Sequence, residues 1–240
     1  MAIERVGSKV IKFYLPLGVY LIFLLFPFYW MTNTVFKSDT ELYNLDLNPF
    51  YVHSPTLGNI VSLFTETIFL KWMANTFFVA ITATLISLAA SLLAAYAIQR
   101  IQYKTSGPTG VAIFLGYLVP QTILFIPLAH IIFKVKLWDS LWSLVLTYPT
   151  FLIPFCTWLL MGYFKTIPKE MEECAMIDGA SRIRIFRRII LPLCLPGVLS
   201  AGIFCFTLSW NEYLYAFVFL NDRDMFTMPI AINRINTDPT

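Results

Sequence analysis

Five long uncharged stretches constrain this chain before any other feature: Phe13 to Phe36, Trp72 to Gln99, Thr105 to Phe133, Ser140 to Phe164 and Ile189 to Asn211. Each exceeds the roughly 20 residues that carry a helix across a bilayer. Inside hydrocarbon every backbone N–H and C=O must be bonded within its own helix or within a closed barrel. The long apolar/polar alternation of barrel strands is not seen, so the chain is read as all-α, a polytopic bundle of transmembrane helices. Composition agrees, since 58% hydrophobic residues against 13% charged would leave a soluble 240-residue domain unable to cover its surface with polar groups. Residues 1–240 are therefore expected to form one transmembrane domain, with spans at about 13–36, 72–99, 107–133, 140–164 and 189–220.

Lysine and arginine set the expected orientation, because loops that stay on the cytoplasmic side carry an excess of them. With the N-terminus inside, the cytoplasmic pieces hold Arg5, Lys9, Lys12, Arg100, Lys104, Lys165, Lys169, Arg182, Arg184, Arg187 and Arg188. The opposite side holds only Lys37, Lys71, Lys134, Lys136, Arg223 and Arg234, and is acidic through Asp39, Glu41, Asp46 and Glu66. Loop 165–188 then faces the cytoplasm and segment 221–240 the outside. A cleaved signal peptide is not expected, because the first stretch is too long and no small-residue site follows it.

The cytoplasmic loop is patterned. Ile167-Pro168-Lys169-Glu170 opens a short helix: proline's missing N–H costs nothing in a first turn, and Glu170, Glu172 and Glu173 complement the positive end of the helix dipole. Gly179 is the expected stop. Met171, Cys174, Ala175 and Asp178 share one side at i, i+3, i+4 and i+7, a small, apolar and acidic surface that fits a partner's groove. Ser181 can cap a second short helix whose Arg182, Arg184, Arg187 and Arg188 return the chain to a membrane surface. Pro192 and Pro196 open the next span. By charge alone the same segment is an ordinary positively charged loop.

Cys156, Cys174, Cys194 and Cys205 show no CxxC or Cys/His spacing, so packing is expected of them, with no zinc site or disulfide framework. His53 and His130 are isolated and read as structural. No Gly-x-x-x-x-Gly-Lys-[Ser/Thr] loop occurs, and Gly162-Tyr163-Phe164-Lys165-Thr166 lacks its first glycine, so ATP is not bound by that route. Ala83, Ser87, Ser91 and Ala94 form a small-residue stripe that lets helices approach closely, within the chain rather than between subunits. Pro120 and Pro127 predict a kink near Gln121 and Thr122. Glu212, inside Ser209-Trp210-Asn211-Glu212-Tyr213, costs on the order of 3 kcal/mol in hydrocarbon. It therefore faces a cavity or partner, or else lies at the outer interface beside Trp210 and Tyr213.

Glu173-Cys174-Ala175, Asp178-Gly179-Ala180, Phe186, Ile189 and Leu191-Pro192 resemble the EAA signature of ABC importer permeases, with Cys174 at the usual alanine. Trp210 to Leu220, WNEYLYAFVFL, followed by Thr227-Met228-Pro229, is similar to the fifth span of the MalG-like permeases that import carbohydrates. Pro55 to Asn59 with Leu63-Phe64, then Trp72, Asn75-Thr76, Ala94-Ala95-Tyr96-Ala97 with Arg100, Ile126-Pro127-Leu128 and Ile167-Pro168 match the family too. The resemblance covers nearly the whole chain.

It implies the fold of a type I ABC importer permease, with five spans visible of an expected six. Family members continue into a sixth span and a cytoplasmic tail, so either a final helix follows Thr240, which is the expectation, or this permease packs without one. The resemblance also implies a subunit with no ATPase site of its own, in the cytoplasmic (inner) membrane of a bacterium or archaeon and in contact with lipid. Its partners would be a second, different permease, two ATPase subunits that bind ATP and Mg, and an extracytoplasmic sugar-binding protein. The chain itself would hold no cofactor, metal or nucleic acid. Glu173, Cys174, Ala175, Asp178, Gly179 and Ala180 would engage the ATPase groove, Asn221 to Thr240 would be either a docking element for the binding protein or a frayed end, and Gln121, Asn211, Glu212 and Tyr213 are candidates for the solute pathway. The cargo class spans di- and oligosaccharides, polyols and sugar phosphates. The other readings are a passive channel or membrane scaffold with no energised cycle, and an importer of a non-sugar solute. A membrane enzyme would need a nucleophile–base pair or metal cluster, and none is visible.

Overall fold

All regular structure among the described residues, 10–101 and 103–237 of the computed structural model, is helical. Arg5 and Lys9, two of the orienting cations, lie outside them, as do residues 238–240. The chain divides into two compact units, Met1–Phe69 and Leu70–Thr240. Among the described residues three segments, Ile11–Val35, Phe69–Ile101 and Leu141–Thr166, are long and apolar enough to cross a membrane, and counting each of two bent helix pairs as one span raises the number to five.

In the first unit a π-helical turn, Val10–Tyr14, leads into α1 (Leu15–Val35). The helix is apolar around its whole circumference, with Ile22 72% and Phe23 80% exposed, as suits a helix that meets lipid. The loop after it is held by polar side chains. Lys37 Nζ donates to the Pro49 carbonyl at 2.7 Å, Asn33 Nδ2 to that of Phe50 at 2.7 Å and Asn59 Nδ2 to that of Lys37 at 2.8 Å. Buried Glu41 accepts the His53 backbone N–H at 2.8 Å and that of Ser54 at 3.2 Å, and its Oε1 lies 3.1 Å from the His53 ring. The His53 amide, first among these donors, holds the Glu41 carboxyl below its ordinary value. Helix α2 (Gly58–Thr65) follows.

The second unit is built on α3 (Phe69–Tyr96), which runs on through a π-helical turn, Ala97–Ile101. Ala83, Ser87 and Ser91 of the small-residue stripe are fully buried within the chain, and Ser91 Oγ donates to the Ile153 carbonyl at 3.1 Å. Helices α4 (Ser106–Tyr117) and α5 (Gln121–Lys134) are bent by 93° to one another. Pro120 explains the break, having no N–H to continue the ladder and holding Val119 out of the helical region. Helices α6 (Leu141–Thr147) and α7 (Pro149–Thr166) continue one another. Two short helices, α8 (Glu170–Ile177) and α9 (Arg182–Ile185), precede α10 (Leu195–Trp210), α11 (Leu214–Phe219) and α12 (Met228–Thr237).

Two expectations need correction. The fifth stretch, 189–220, is not one helix: Arg182–Leu193 meets α10 at 74°, and α10 ends at Trp210 before α11 begins at Leu214. Pro192 and Pro196 flank the bend at Cys194, and the polar residues 211–213 interrupt the ladder after it. The cysteines do more than pack, since Cys156 of α7 and Cys205 of α10, both fully buried, are joined as a disulfide. Their separation of 49 residues carries no sequence signal.

The segment after α11 is fastened to the start of α3. Trp72 Nε1 donates to the Arg223 carbonyl at 2.8 Å, Asn75 Nδ2 to those of Asp224 and Phe226 at 2.9 and 3.0 Å, and the Met228 amide donates to Thr76 Oγ1 at 2.8 Å. Ile230 and Ala231 of α12 are buried. Residues 221–231 are thus an ordered element, not a frayed end.

Candidate functional site

The charged loop opens where α7 ends. Ile167 takes an extended conformation ahead of Pro168, and α8 starts with Glu170, Glu172 and Glu173 in its first turn, as the helix dipole favours. It stops as predicted. Gly179 sits at φ +77°, its N–H donates to the Met176 carbonyl at 3.0 Å, and the Ala180 N–H donates to that of Ala175 at 2.9 Å. This paired closure requires the left-handed residue that glycine supplies. Ser181 Oγ then accepts the Arg184 amide at 3.4 Å and caps α9.

The result is a solvent-facing tip. Glu173, Cys174, Asp178 and Gly179 are exposed, Ala175 and Ala180 half-buried, so the six predicted coupling residues lie together on one short element. Apolar side chains that sequence reasoning left out share the tip: Ile177 is 85% and Ile183 70% exposed. No atom outside the immediate backbone lies within 4 Å of a Cβ built at Gly179.

The inward side of α8 carries one buried residue, Glu172. The π-helical turn at the end of α3 presents Arg100 to it, Nε lying 3.2 Å from Glu172 Oε1, with the two side chains 3% and 6% exposed. The contact lacks hydrogen-bond alignment, so charge holds it rather than direction. Arg100 Nη2 also donates to the carbonyls of Phe164 and Ile167, at 2.5 and 2.6 Å, where α7 ends. Removing one partner of a buried pair of this kind costs about 3–5 kcal/mol. A polar cleft of about 170 Å³ beside the pair is lined by Arg100, Lys169, Glu172, Glu173, Met176 and Arg182. Sequence reasoning missed this pair, although Glu172 lies off the stripe of Met171, Cys174, Ala175 and Asp178, and an acid off the exposed side is the signal that could have found it.

The second predicted cluster lies where α10 breaks. Glu212 is 7% exposed. It accepts the Tyr148 hydroxyl at 2.9 Å and the backbone N–H groups of Tyr215 and Ala216 at 2.9 and 3.2 Å. The carboxylate thus closes the open amides at the start of α11, which removes most of the cost of burying it. Tyr215 Oη donates to the Gln121 carbonyl at 3.2 Å, so the breaks of the third and fifth stretches meet. Asn211 is exposed and folds its amide back onto the Thr207 carbonyl at 2.8 Å, and Tyr213 stacks on Phe217 with ring centroids 5.3 Å apart. Among the described residues no group of three or more His, Cys, Asp or Glu side chains gathers as a metal site requires.

Against this geometry stand several similarities to known proteins. A family model, described as binding-protein-dependent transport system inner membrane component, matches residues 104–239. An inner membrane ABC transporter permease protein of Escherichia coli, YcjP, is 33% identical over 242 residues, covering 100% of this chain and 86% of the relative. The sulfoquinovosyl glycerol transport system permease protein SmoH of Agrobacterium fabrum is 33% identical, covering 94% of this chain and 79% of its own length. The trehalose/maltose transport system permease protein MalG of Thermococcus litoralis is 34% identical, covering 88% and 76%. In fold the chain is similar to a chain from a crystal structure of a bacterial ABC transporter involved in the import of the acidic polysaccharide alginate, with a TM-score of 0.81, 98% of this chain and 80% of that one covered, and 20% identity.

Proposed function

The chain belongs to the family of binding-protein-dependent transport system inner membrane components, and from that premise we propose that it is a permease subunit of an ATP-driven importer of carbohydrates or related polyols and sugar phosphates. The relatives named for sulfoquinovosyl glycerol and trehalose/maltose support the cargo class. One observation carries the mechanism: a short helix, closed by left-handed Gly179, holds Glu173, Cys174, Ala175, Asp178, Gly179 and Ala180 on an exposed tip.

In this reading the chain lies in the cytoplasmic membrane with its N-terminus inside, as the lysine and arginine bias favours. It lines half of a solute pathway with a second permease and has no ATPase site of its own. Two ATPase subunits, which bind ATP and Mg, grip the tip that carries Glu173 and Asp178. An extracytoplasmic sugar-binding protein delivers solute on the other side, with the ordered segment 221–231 as its docking element. The pathway passes the meeting breaks of the third and fifth stretches, where Gln121, Asn211, Glu212 and Tyr213 lie.

Affinity purification of the tagged chain from its native membrane, in mild detergent, tests this reading. A second permease and an ATPase are expected to co-purify, and recovery of the chain alone would contradict it.

A further inference from the structure

We infer that the Arg100–Glu172 ion pair is a positioning strut that carries displacement of helix α8 into the membrane helices α3 and α7. The inference rests on the importer reading above, because it needs a partner that pushes on α8. Exposure divides α8 sharply: Glu173, Cys174, Ile177 and Asp178 face solvent, and Glu172 is its buried residue. Glu172 is therefore the side chain that fastens α8 inward. Its partner does more than neutralise it, since the guanidinium that meets Glu172 also closes the carbonyl end of α7 at Phe164 and Ile167. One group joins the ends of three elements.

Both charges are more than nine-tenths buried, so drawing α8 away from α3 and α7 breaks a pair that water scarcely screens. An exposed pair would part readily and transmit little. A push on the outer face of α8 thereby moves α3 and α7 with it, instead of flexing the Ile167-Pro168 link. The planar fork of arginine suits the position, because one head group serves a carboxylate and two carbonyls together. Tyr96, one turn before Arg100, packs on Phe186 with ring centroids 4.9 Å apart, which ties α3 to the returning chain beside the ion pair.

The test uses the complex that the tagged chain brings down from native membranes, carrying Leu118→Cys at an exposed position beside the Pro120 break, with Cys174 left in place. A membrane-impermeant maleimide reports the labelling rate at position 118, read on its own peptide by mass spectrometry so that exposed Cys174 does not contribute, with and without ATP plus vanadate, and ATP hydrolysis is measured on the same samples. The parent complex is expected to change its labelling rate on nucleotide trapping. Arg100→Gln and Glu172→Gln are expected to keep hydrolysing ATP while that change falls about ten-fold, the scale of an ordinary coupling factor. Because either single change leaves a buried charge unpaired, the double variant Arg100→Met/Glu172→Met, which leaves none, decides: the same loss is expected. An undiminished labelling change in the double variant would overturn the strut, as would loss of hydrolysis and labelling change in proportion to assembled complex. A parent complex without an ATPase, or without any nucleotide-dependent labelling change, would count instead against the importer reading.

Discussion

Gly179 is the residue at which backbone conformation and the proposed ATPase contact can be separated. Its φ of +77° strains most side chains, whereas asparagine and aspartate tolerate the left-handed region better than other non-glycine residues. The space around it is open within the chain, so neither substitution meets an internal clash. Gly179→Asn and Gly179→Asp thus impose similar backbone strain and differ in charge. We expect both variants to reach the membrane at wild-type levels, Gly179→Asn to keep most sugar uptake, and Gly179→Asp to lose about ten-fold or more, a coupling loss of ordinary size. Equal uptake by the two would show that charge at this tip does not matter. Glu212 is the opposite kind of residue, with its donors supplied inside the fold by Tyr148, Tyr215 and Ala216.

Helix packing has its own test. A Cβ at Gly197 of α10 would come within 2.4, 2.7 and 2.8 Å of three ring carbons of Tyr163 on α7. Gly197→Ala is expected to destabilise the chain by about 1–3 kcal/mol, as overpacking does. Tryptophan fluorescence during thermal unfolding in detergent measures it: the midpoint falls in Gly197→Ala and partly recovers in Gly197→Ala/Tyr163→Ala, where the ring is gone. An unchanged midpoint in the single variant would mean that the helices slide apart at no cost. How much of each element was legible follows from the range of the forces that shape it. The α8 stop at Gly179, the Ser181 cap and the break at Pro120 are local, fixed by residues within one turn, and can be read from sequence. The stripe of Ala83, Ser87 and Ser91 announced close packing. The bend at Cys194 and the break after Trp210 have local causes too, Pro192 with Pro196 and the polar residues 211–213, but these also suit the start of a span or an interfacial cluster; the Cys156–Cys205 disulfide depends on which helices become neighbours, and no spacing announces it. Trp72, Asn75 and Thr76 were visible as a family pattern, but their work in holding residues 223–228 needed the fold. The site divided the same way: periodicity gave the side of Met171, Cys174, Ala175 and Asp178 and the family resemblance named the other tip residues, while Arg100 and Glu172 come from distant segments whose meeting only tertiary structure decides.

At the scale of the whole molecule, the chain joins an exposed charged tip to membrane helices broken by proline and polar residues. Breaks at residues 118–120 and 211–213 of the second unit are linked through Tyr215 and Gln121, and short irregular segments of this kind are where hinge motions are absorbed in proteins that change shape. A passive channel would need no such tip and no tie between it and the helices. ATP dependence of flux therefore separates the two accounts. The decisive measurement is uptake of radiolabelled sugar into liposomes containing the purified complex, with the binding protein outside and ATP either enclosed or absent. The account predicts accumulation above the external concentration only with enclosed ATP, accompanied by sugar-stimulated ATP hydrolysis. Equal flux with and without ATP, ending at equal concentrations on both sides, would contradict it.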